Sequence, residues 1–291
     1  MHPAQSGPVL CRALLAVAFL TAAAPDADAQ TARQARHEVE ASMLVTGHVD
    51  IDRDGTVTGH VLDQPEKLPS YVVDLVERSA SGMRFDPILV DGVPALARAK
   101  MRLRLIATPS EGGTMNVRIA SAHFGDENDA DDPGRVRADS MLPPRYPVDV
   151  ARMGGTGVVY LLLKINRDGL PEDVIAEQVN LTALGTARQM ESIRSSLAKS
   201  AIAGAKRWRF VPPTEGDEAA RDYWVVRTPV SYFLQGQREP AYGQWAAYHP
   251  GRENHPDWAA PTPAGFSPDT LMAGEVAPES SRFKLLTPIE G

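Results

Sequence analysis

The sequence predicts an α+β protein with two small two-layer units, each a three-stranded antiparallel sheet with one helix, in the order β-β-α-β. Two observations predict this fold. Runs of β-branched and aliphatic residues bounded by turn residues, at 47–61 and 157–179, are typical of hairpins. Each run is followed by a stretch in which apolar residues recur every three or four positions, as they do on one helix face. The 291 residues are enough for about two ordinary domains.

The second unit begins with two strands. Gly157–Asn166 reads Gly-Val-Val-Tyr-Leu-Leu-Leu-Lys-Ile-Asn, a run rich in strand-forming residues. Asn166-Arg-Asp168-Gly169 then supplies a tight turn, because Asp and Gly tolerate the positive φ that hairpin turns require. A second strand follows through Val174, Ile175 and Val179.

From Thr186 the pattern becomes that of an amphipathic helix. Its apolar stripe consists of Ala187, Met190, Ile193, Leu197, Ala201, Ala205 and Trp208. Prolines 212 and 213 end the helical region, because proline lacks a backbone donor and restricts the residue before it. Residues 223–234 give a long final strand. Trp208 and Phe210 are predicted to be core residues.

Four short motifs follow one another in this unit. They are Pro144-Arg-Tyr146-Pro147, Gly154-Gly-Thr-Gly157-Val158, Asn166-Arg-Asp168-Gly169 and Lys206-Arg-Trp208-Arg-Phe210-Val-Pro212. Together they resemble the C-terminal domain of TonB-family energy transducers, over residues 143–235. That domain is a protein-binding module of the Gram-negative envelope, so the resemblance implies binding rather than catalysis.

The binding site that the resemblance implies is the final strand. Pro229 cannot donate to a β-ladder, so its strand is expected at a sheet edge or a bulge. An edge strand can take up an extended peptide, and in this family the last strand meets an outer-membrane transporter in that way. The implied partner-binding residues are Tyr223, Val225, Arg227, Pro229, Ser231, Phe233, Gln235, Tyr146 and Pro147. For Tyr146 and Pro147, the alternative is a turn that packs on the sheet where the chain enters the domain.

The first half of the chain looks like a degenerate copy of the same unit. Ile51-Asp-Arg-Asp-Gly55 parallels Ile165-Asn-Arg-Asp-Gly169, and Arg84-Phe-Asp-Pro87 parallels Arg209-Phe-Val-Pro212. Repetition of a whole supersecondary unit indicates duplication. The other predicted elements of this copy are a helix at 68–83 and strands at 100–106 and 114–124.

The predicted organisation has five segments: a signal peptide at 1–29, the degenerate copy at 30–125, an acidic linker at 126–140, the TonB C-terminal-like domain at 141–236 and a tail at 237–291. The tail is rich in Pro, Gly and Ala and has no sustained period, so most of it is predicted to be disordered. Its aromatic residues, such as Tyr242 and Trp245, favour docking of one part on a domain. A tail that covered residues 223–235 would compete with a bound peptide.

The N-terminal segment predicts export to the periplasm. Arg12 precedes an apolar stretch at 13–24, and Ala27-Asp-Ala29 matches a signal-peptidase site, so cleavage is expected near Ala29. A stretch of about twelve residues is short for a bilayer, which needs roughly twenty, so the mature chain is not expected to span a membrane. Without cleavage, the segment would associate the protein with the inner membrane. The single cysteine, Cys11, lies in the removed segment, which excludes disulfides and thiol catalysis.

Charge and motif content exclude other classes of function. The net charge of −7 argues against a nucleic-acid partner, because phosphate binding needs a basic surface. No Gly-x-Ser-x-Gly elbow or comparable nucleophile site occurs in the sequence, so neither an enzyme nor a cofactor is predicted.

Two metal sites are considered, of which the first is rejected and the second stays open. Asp50-Ile-Asp52-Arg-Asp54-Gly55 imitates the start of an EF-hand loop, but Val61 stands at the twelfth position, where that loop needs Glu. If residues 53–55 form the hairpin loop, His48 faces His60 with Asp50 on the same side, a set that suits zinc or copper. The alternative is a polar outer face, and no metal is predicted.

We expect a periplasmic module that binds an extended segment of an envelope protein. If the module takes part in TonB-dependent transport, that protein is an outer-membrane transporter. The alternative is an envelope scaffold or structural protein with no transport role. An energy transducer has an inner-membrane anchor and a long proline-rich spacer, and the sequence shows neither ahead of the domain. Whether the module forms a homodimer stays open.

Overall fold

The computed structural model describes residues 40–90, 92–110, 114–126, 132–183, 185–237, 240–279 and 281–289. Within these ranges the fold is α+β, as predicted, with mostly antiparallel sheets and three helices. The predicted signal peptide lies outside the described residues. No helix in the described ranges is both long and apolar enough to cross a membrane.

The elements have the following bounds. The strands are β1 (Glu40–Ile51), β2 (Val57–Leu62), β3 (Leu89–Val90), β4 (Val93–Pro94), β5 (Ala97–Pro109), β6 (Met115–Gly125), β7 (Arg137–Ser140), β8 (Gly157–Asn166), β9 (Pro171–Leu181), β10 (Arg209–Val211), β11 (Tyr223–Tyr232), β12 (Ala246–Tyr248) and β13 (Ala277–Pro278). The helices are α1 (Ser70–Ser81), α2 (Val148–Arg152) and α3 (Ala187–Ala205). The bounds of β8 agree with the prediction.

The first sheet has the order β12-β1-β5-β6, and β2 pairs with β1 on the same side as β12. Val45 and Val49 of β1 and Leu103 of β5 are fully buried, because alternate side chains of a strand point to one face. They share a core with Val72 and Val76 of α1. The sheet exceeds the three strands of the predicted unit because β6, which corresponds to the strand predicted at 114–124, and β12 extend it.

The second sheet has the order β13-β11-β8-β9 and shares a core with α3. Thr186 caps this helix: its hydroxyl accepts the N–H of Gln189 at 3.3 Å, while Gln189 accepts the N–H of Thr186 at 2.9 Å. Ile193 lies on the buried face, as the apolar stripe predicts. Trp208 and Phe210 are 3% and 4% exposed, which confirms them as core residues.

The same local geometry occurs at the tips of the hairpins β1-β2 and β8-β9. Gly55 and Gly169 have φ values of +84° and +73°, a region that favours glycine. Each accepts a backbone N–H from a phenylalanine: Phe85 N lies 2.8 Å from Gly55 O, and Phe210 N lies 2.9 Å from Gly169 O. A Cβ on either glycine would lie 1.9 Å from the carbonyl oxygen of that phenylalanine. Each hairpin tip therefore packs tightly on the segment after its helix.

The segment predicted as an acidic linker contains a strand. Within 132–140, β7 pairs with β10, and Arg135 makes ion pairs with Asp126 and with Asp132, the latter at 3.3 Å. Residues 127–131 lie outside the described residues. The acidic composition alone predicts a solvated linker. The ion pairs of Arg135 with two of these carboxylates depend on tertiary structure, which a sequence pattern does not reveal.

The tail packs on both sheets at 240–279 and 281–289, which differs from the prediction of a largely disordered segment. β12 pairs with β1, and β13 pairs with β11. Phe283 is 4% exposed within the first core, and Val276 packs against the second. The apolar residues of the tail stand in short groups between prolines and polar residues, so they pack at separate sites without forming a period.

Candidate functional site

β11, the predicted binding strand, has a long neighbour on one side only. It pairs with β8 from Tyr223 to Tyr232, whereas β13 pairs with it over two residues. The carbonyl of Pro229 accepts a bond on the β13 side, and the nitrogen and carbonyl of one strand residue point the same way. The missing donor of Pro229 therefore faces away from β8, on the side where only the two residues of β13 pair with β11. The sequence predicts β11 at a sheet edge or a bulge, and it lies next to the short edge strand β13.

The tail segment at 274–279, here called the strap, runs along the outer side of β11. The N–H of Glu279 donates to the carbonyl of Val225 at 3.1 Å, and the N–H of Gly274 donates to the carbonyl of Pro229 at 3.0 Å. The two paired residues of β13 lie between these bonds, and Ala277 is 3% exposed. The strap thus lies where an added strand would lie along the middle of β11.

The first sheet has a full-length neighbour at the corresponding position. β5 lies beside β1 in the first sheet, in the position that β11 has beside β8 in the second sheet. On its far side, β6 pairs with β5 along a register that runs from Lys100 opposite Gly125 to Pro109 opposite Met115. The far side of β11 pairs only at Val226 and Arg227 in the described part of the chain. Most of this side of β11 therefore has no strand beside it there.

Several predicted binding residues are covered rather than presented to solvent. Val225 and Arg227 are 7% and 1% exposed, and Pro229 is buried. Tyr223 is 39% exposed, and Gln235 is exposed beyond the end of β11. The burial of Val225, Arg227 and Pro229 corrects the expectation that this face of the strand is open. It follows from the position of the tail, which lies between the two sheets.

Phe266 of the tail contacts both sheets. The centre of its ring lies 5.0 Å from the Arg227 guanidinium of β11 and 5.7 Å from the His123 ring of β6. The first contact is a cation–π interaction. Burial, followed by the positive charge of Arg102, lowers the pKa of His123 to about 4. His123 is therefore neutral in this interface near neutral pH.

Arg227 forms a buried ion pair with Glu177 of β9. Nη2 of Arg227 lies 2.8 Å from Oε1 of Glu177, and Nε lies 2.8 Å from Oε2, a bidentate geometry that suits a guanidinium and a carboxylate. Nη1 donates to the carbonyl of Glu279 at 3.1 Å. The same arginine therefore binds both the sheet and the end of the strap.

Two further ion pairs connect the tail with β5. Arg102 lies 2.6 Å from Glu275, and Arg104 lies 3.8 Å from the carboxylate of Asp269 while also donating to its carbonyl. Tyr248 donates to the same carboxylate. Burial and then the negative charge of Asp269 raise the pKa of Tyr248 above its usual range. The contacts of Asp269 fix the tail before the strap begins and do not involve β13.

Two cavities adjoin β11 near the two ends of the strap. The larger, of about 610 Å³, lies between the two sheets and is lined at this strand by Ser231 and by the following residue Phe233. Both residues are partly exposed. The smaller, of about 340 Å³, lies at the start of β11 and is lined by Trp224, Val225 and Pro278. Open space therefore adjoins the two ends of β11, while the strap covers its middle.

Tyr146 and Pro147 lie at the start of α2 and are partly buried. The Tyr146 ring packs edge-on against the Tyr232 ring at 5.5 Å, and its hydroxyl donates to the carbonyl of Gly155. Burial raises the pKa of this hydroxyl. These contacts favour the alternative reading of the pair as a turn that packs on the sheet.

The two histidines considered as metal ligands are not brought together. A β-bulge at Thr58 shifts the hairpin register by one residue, so His48 and His60 belong to successive pairs that point to opposite faces. Asp50 pairs with Arg98 at 2.7 Å, which lowers the pKa of that carboxyl. The described ranges contain no group of three or more His, Cys, Asp or Glu that could hold a metal ion.

Sequence reasoning missed Glu177, and it raised cover of residues 223–235 by the tail as a hypothesis without identifying the strap. One signal for Glu177 was present, because an arginine inside the apolar run of β11 needs a buried counter-charge, although the pattern does not say which residue supplies it. No pattern identifies residues 274–279 as the segment that covers β11, since a two-residue strand has no periodicity to detect.

Comparison of the chain with protein-family models, with curated proteins and with solved structures finds no match in any of the three. Function is therefore inferred from the geometry of β11 and of the segment that covers it.

Proposed function

We propose that this protein is a periplasmic binding module similar to the C-terminal domain of TonB-family proteins. It takes up an extended segment of an envelope partner along β11 by strand addition. The partner in TonB-dependent transport is an outer-membrane transporter. The observation that carries the proposal is the outer side of β11, which pairs over two residues while β5 pairs with β6 from Lys100 to Pro109.

The backbone chemistry of β11 supports this function. Outward-facing carbonyls and amides of an edge strand accept an extended peptide with little requirement for side-chain identity. The carbonyls of Val225 and Pro229 already accept bonds from an extended segment of the tail. A partner segment placed there makes the same bonds and reaches the two flanking cavities.

The two-unit organisation is part of the proposal. The matching bonds of Gly55 with Phe85 and of Gly169 with Phe210 support a duplicated β-β-α-β unit. In the first copy, β6 fills the place beside β5 permanently. The second copy keeps the equivalent place for an exchangeable segment, which assigns partner binding to the second copy alone.

The test is a titration of the isotope-labelled protein with peptides from the N-terminal segments of outer-membrane transporters, followed by backbone amide shifts in NMR spectra. We expect shifts concentrated on 223–235, with β6 amides as the internal control. Two peptides N-methylated at alternate sets of residues serve as matched controls. Only the peptide methylated at residues whose N–H faces β11 should lose binding. An intact fold with no shift at about 1 mM peptide overturns the proposal and favours the envelope scaffold.

A further inference from the structure

We propose that the strap is an internal ligand of β11 and that its sequence specifies the partner. The partner is an extended acidic segment that runs antiparallel to β11 and carries, in order, an acidic, an aliphatic and a small residue. In the strap these are Glu275, Val276 and Ala277. The inference rests on the proposed function and defines its ligand and its regulation.

The environment of Ala277 explains why the partner needs a small residue at this position. Its side chain lies opposite Arg227, and the two residues are 3% and 1% exposed. Residues directly opposite in an antiparallel pair share one face of the sheet, so the Ala277 methyl points into the same closed interface as the guanidinium. A larger side chain at this position has no free volume to enter.

The need for an acidic residue in the partner comes from Arg102. Its side chain is 14% exposed and pairs with Glu275 at 2.6 Å. A largely buried cation left without a counter-charge is costly, so a segment that replaces the strap must bring its own carboxylate to this position. Val276 packs on the second core, which selects an aliphatic residue between the acidic and the small one.

The strap can leave β11 without unfolding the rest of the tail. Before it, Asp269 is held by Arg104, and after it Phe283 is buried in the first core. Residues 272–274 are exposed, and Gly274 has a φ of +77° with open space around its Cα. The strap is therefore a short loop between two fixed points. The strap competes with a partner for β11. The apparent affinity of the partner equals its intrinsic affinity multiplied by the fraction of molecules in which the strap has left β11.

The first experiment unseats the strap. Ala277→Trp prevents its docking and leaves β11 unchanged, and Leu286→Trp, at a 52% exposed position of the same tail that lines neither cavity, is the matched control. The probe is a synthetic peptide with the sequence of residues 274–279, Gly-Glu-Val-Ala-Pro-Glu. We expect it to shift β11 amides of A277W at a concentration at least about tenfold lower than for the wild type or L286W. Probes with Lys for Glu275 or Leu for Ala277 should bind more weakly.

The outcomes separate the two proposals. Equal binding of the probe by A277W and the wild type overturns the internal ligand and leaves the proposed function standing. Binding of transporter peptides to A277W without binding of the probe overturns the sequence template. No binding by any peptide, although amide exchange at Arg227 shows that the strap is released, overturns the proposed function as well.

A reversible lock tests the same inference without a bulky side chain. Val226 and Pro278 face each other as a non-hydrogen-bonded pair, the closer kind of antiparallel pair and within reach of a disulfide. In a Cys11→Ser background, V226C/P278C should lose peptide binding at least about tenfold on oxidation and regain it on reduction. Equal affinity of the two redox forms overturns the inference.

Discussion

Arg227 and Glu177 form an ion pair that passes over the face of β8. Their Nη2 and Oε1 atoms lie 2.8 Å apart, and the side chains are 1% and 2% exposed. Arg227 belongs to β11 and Glu177 to β9, which adjoin opposite sides of β8. The pair therefore links the two outer long strands of the second sheet on the face that carries no helix.

Removal of one charge of this pair should destabilise the fold. Glu177→Gln leaves the Arg227 guanidinium buried without a counter-charge, and we expect the free energy of unfolding to fall by about 3–5 kcal/mol. Asp222→Asn, which breaks the exposed pair with Arg167 (57% and 94% exposed side chains for Arg167 and Asp222), should cost less than about 1 kcal/mol. Denaturant unfolding measures both. Similar costs for the two variants would contradict the buried role of the pair.

The hairpin glycines should tolerate no side chain. Gly169→Ala combines a positive φ with a Cβ 1.9 Å from the carbonyl oxygen of Phe210, and we expect a loss of more than about 2 kcal/mol of stability. Gly154, just past the end of α2, has a φ of +69° but nothing within 4 Å of a Cβ, so Gly154→Ala should cost only about 1 kcal/mol. The difference in thermal or denaturant unfolding isolates the steric term. Equal losses would show that backbone strain alone matters.

Stability should decrease in mild acid because of His123. Its pKa is about 4 in the fold, below the ordinary value of 6.5, so the unfolded chain binds its proton first. This contribution to stability is complete above pH 6.5 and is lost as the pH falls toward 4. Partial exposure screens the effect, and we expect roughly 2 kcal/mol.

The measurement for His123 compares unfolding of the wild type and of His123→Gln across this pH range. The groups around the histidine, Arg102, Glu275 and Arg227, are the same in both proteins, so their titration cancels in the difference. The wild type should lose more stability than the variant between pH 6.5 and 4. Parallel curves would contradict the neutral, buried state of His123.

The tail should be necessary for the first core. Phe283→Ala removes a side chain that is 4% exposed among core residues, and we expect a loss of about 3–5 kcal/mol. Leu286→Ala, at a 52% exposed position of the same segment, should change stability by less than about 0.5 kcal/mol. Thermal unfolding of the two variants gives the comparison. A tail that is dispensable for folding would yield small effects at both sites.

Elements with a regular period could be predicted from the sequence. β8 and α3 follow a continuous apolar run and an apolar stripe, and the helix begins where Thr186 and Gln189 form a capping box. Pro229 indicates that no long strand pairs with its side of β11, because a residue without a donor cannot complete a β-ladder there, although the short strand β13 and not β11 forms the edge of the sheet.

Cover of the candidate site by the tail is a hypothesis from the sequence, but the covering residues could not be predicted. Arg227 stands in an apolar run, and its burial depends on Glu177, fifty positions away, and on Phe266 of the tail. His48 and His60 lie on opposite faces of the hairpin because of a one-residue bulge at Thr58. No local propensity in the sequence indicates this bulge. These features are set by tertiary contacts between distant segments.

The return of the tail to the first core has a consequence for the order of folding. Arg84 bonds to Thr287, 203 positions away, and Phe283 completes a core whose other members begin at Met43. The fully buried members of the second core end at Tyr232. As the chain is synthesised, the second core can therefore close before the first. At about 5–20 residues per second, the intervening fifty residues take roughly 3 to 10 s, and closure of such a long loop slows the last step further.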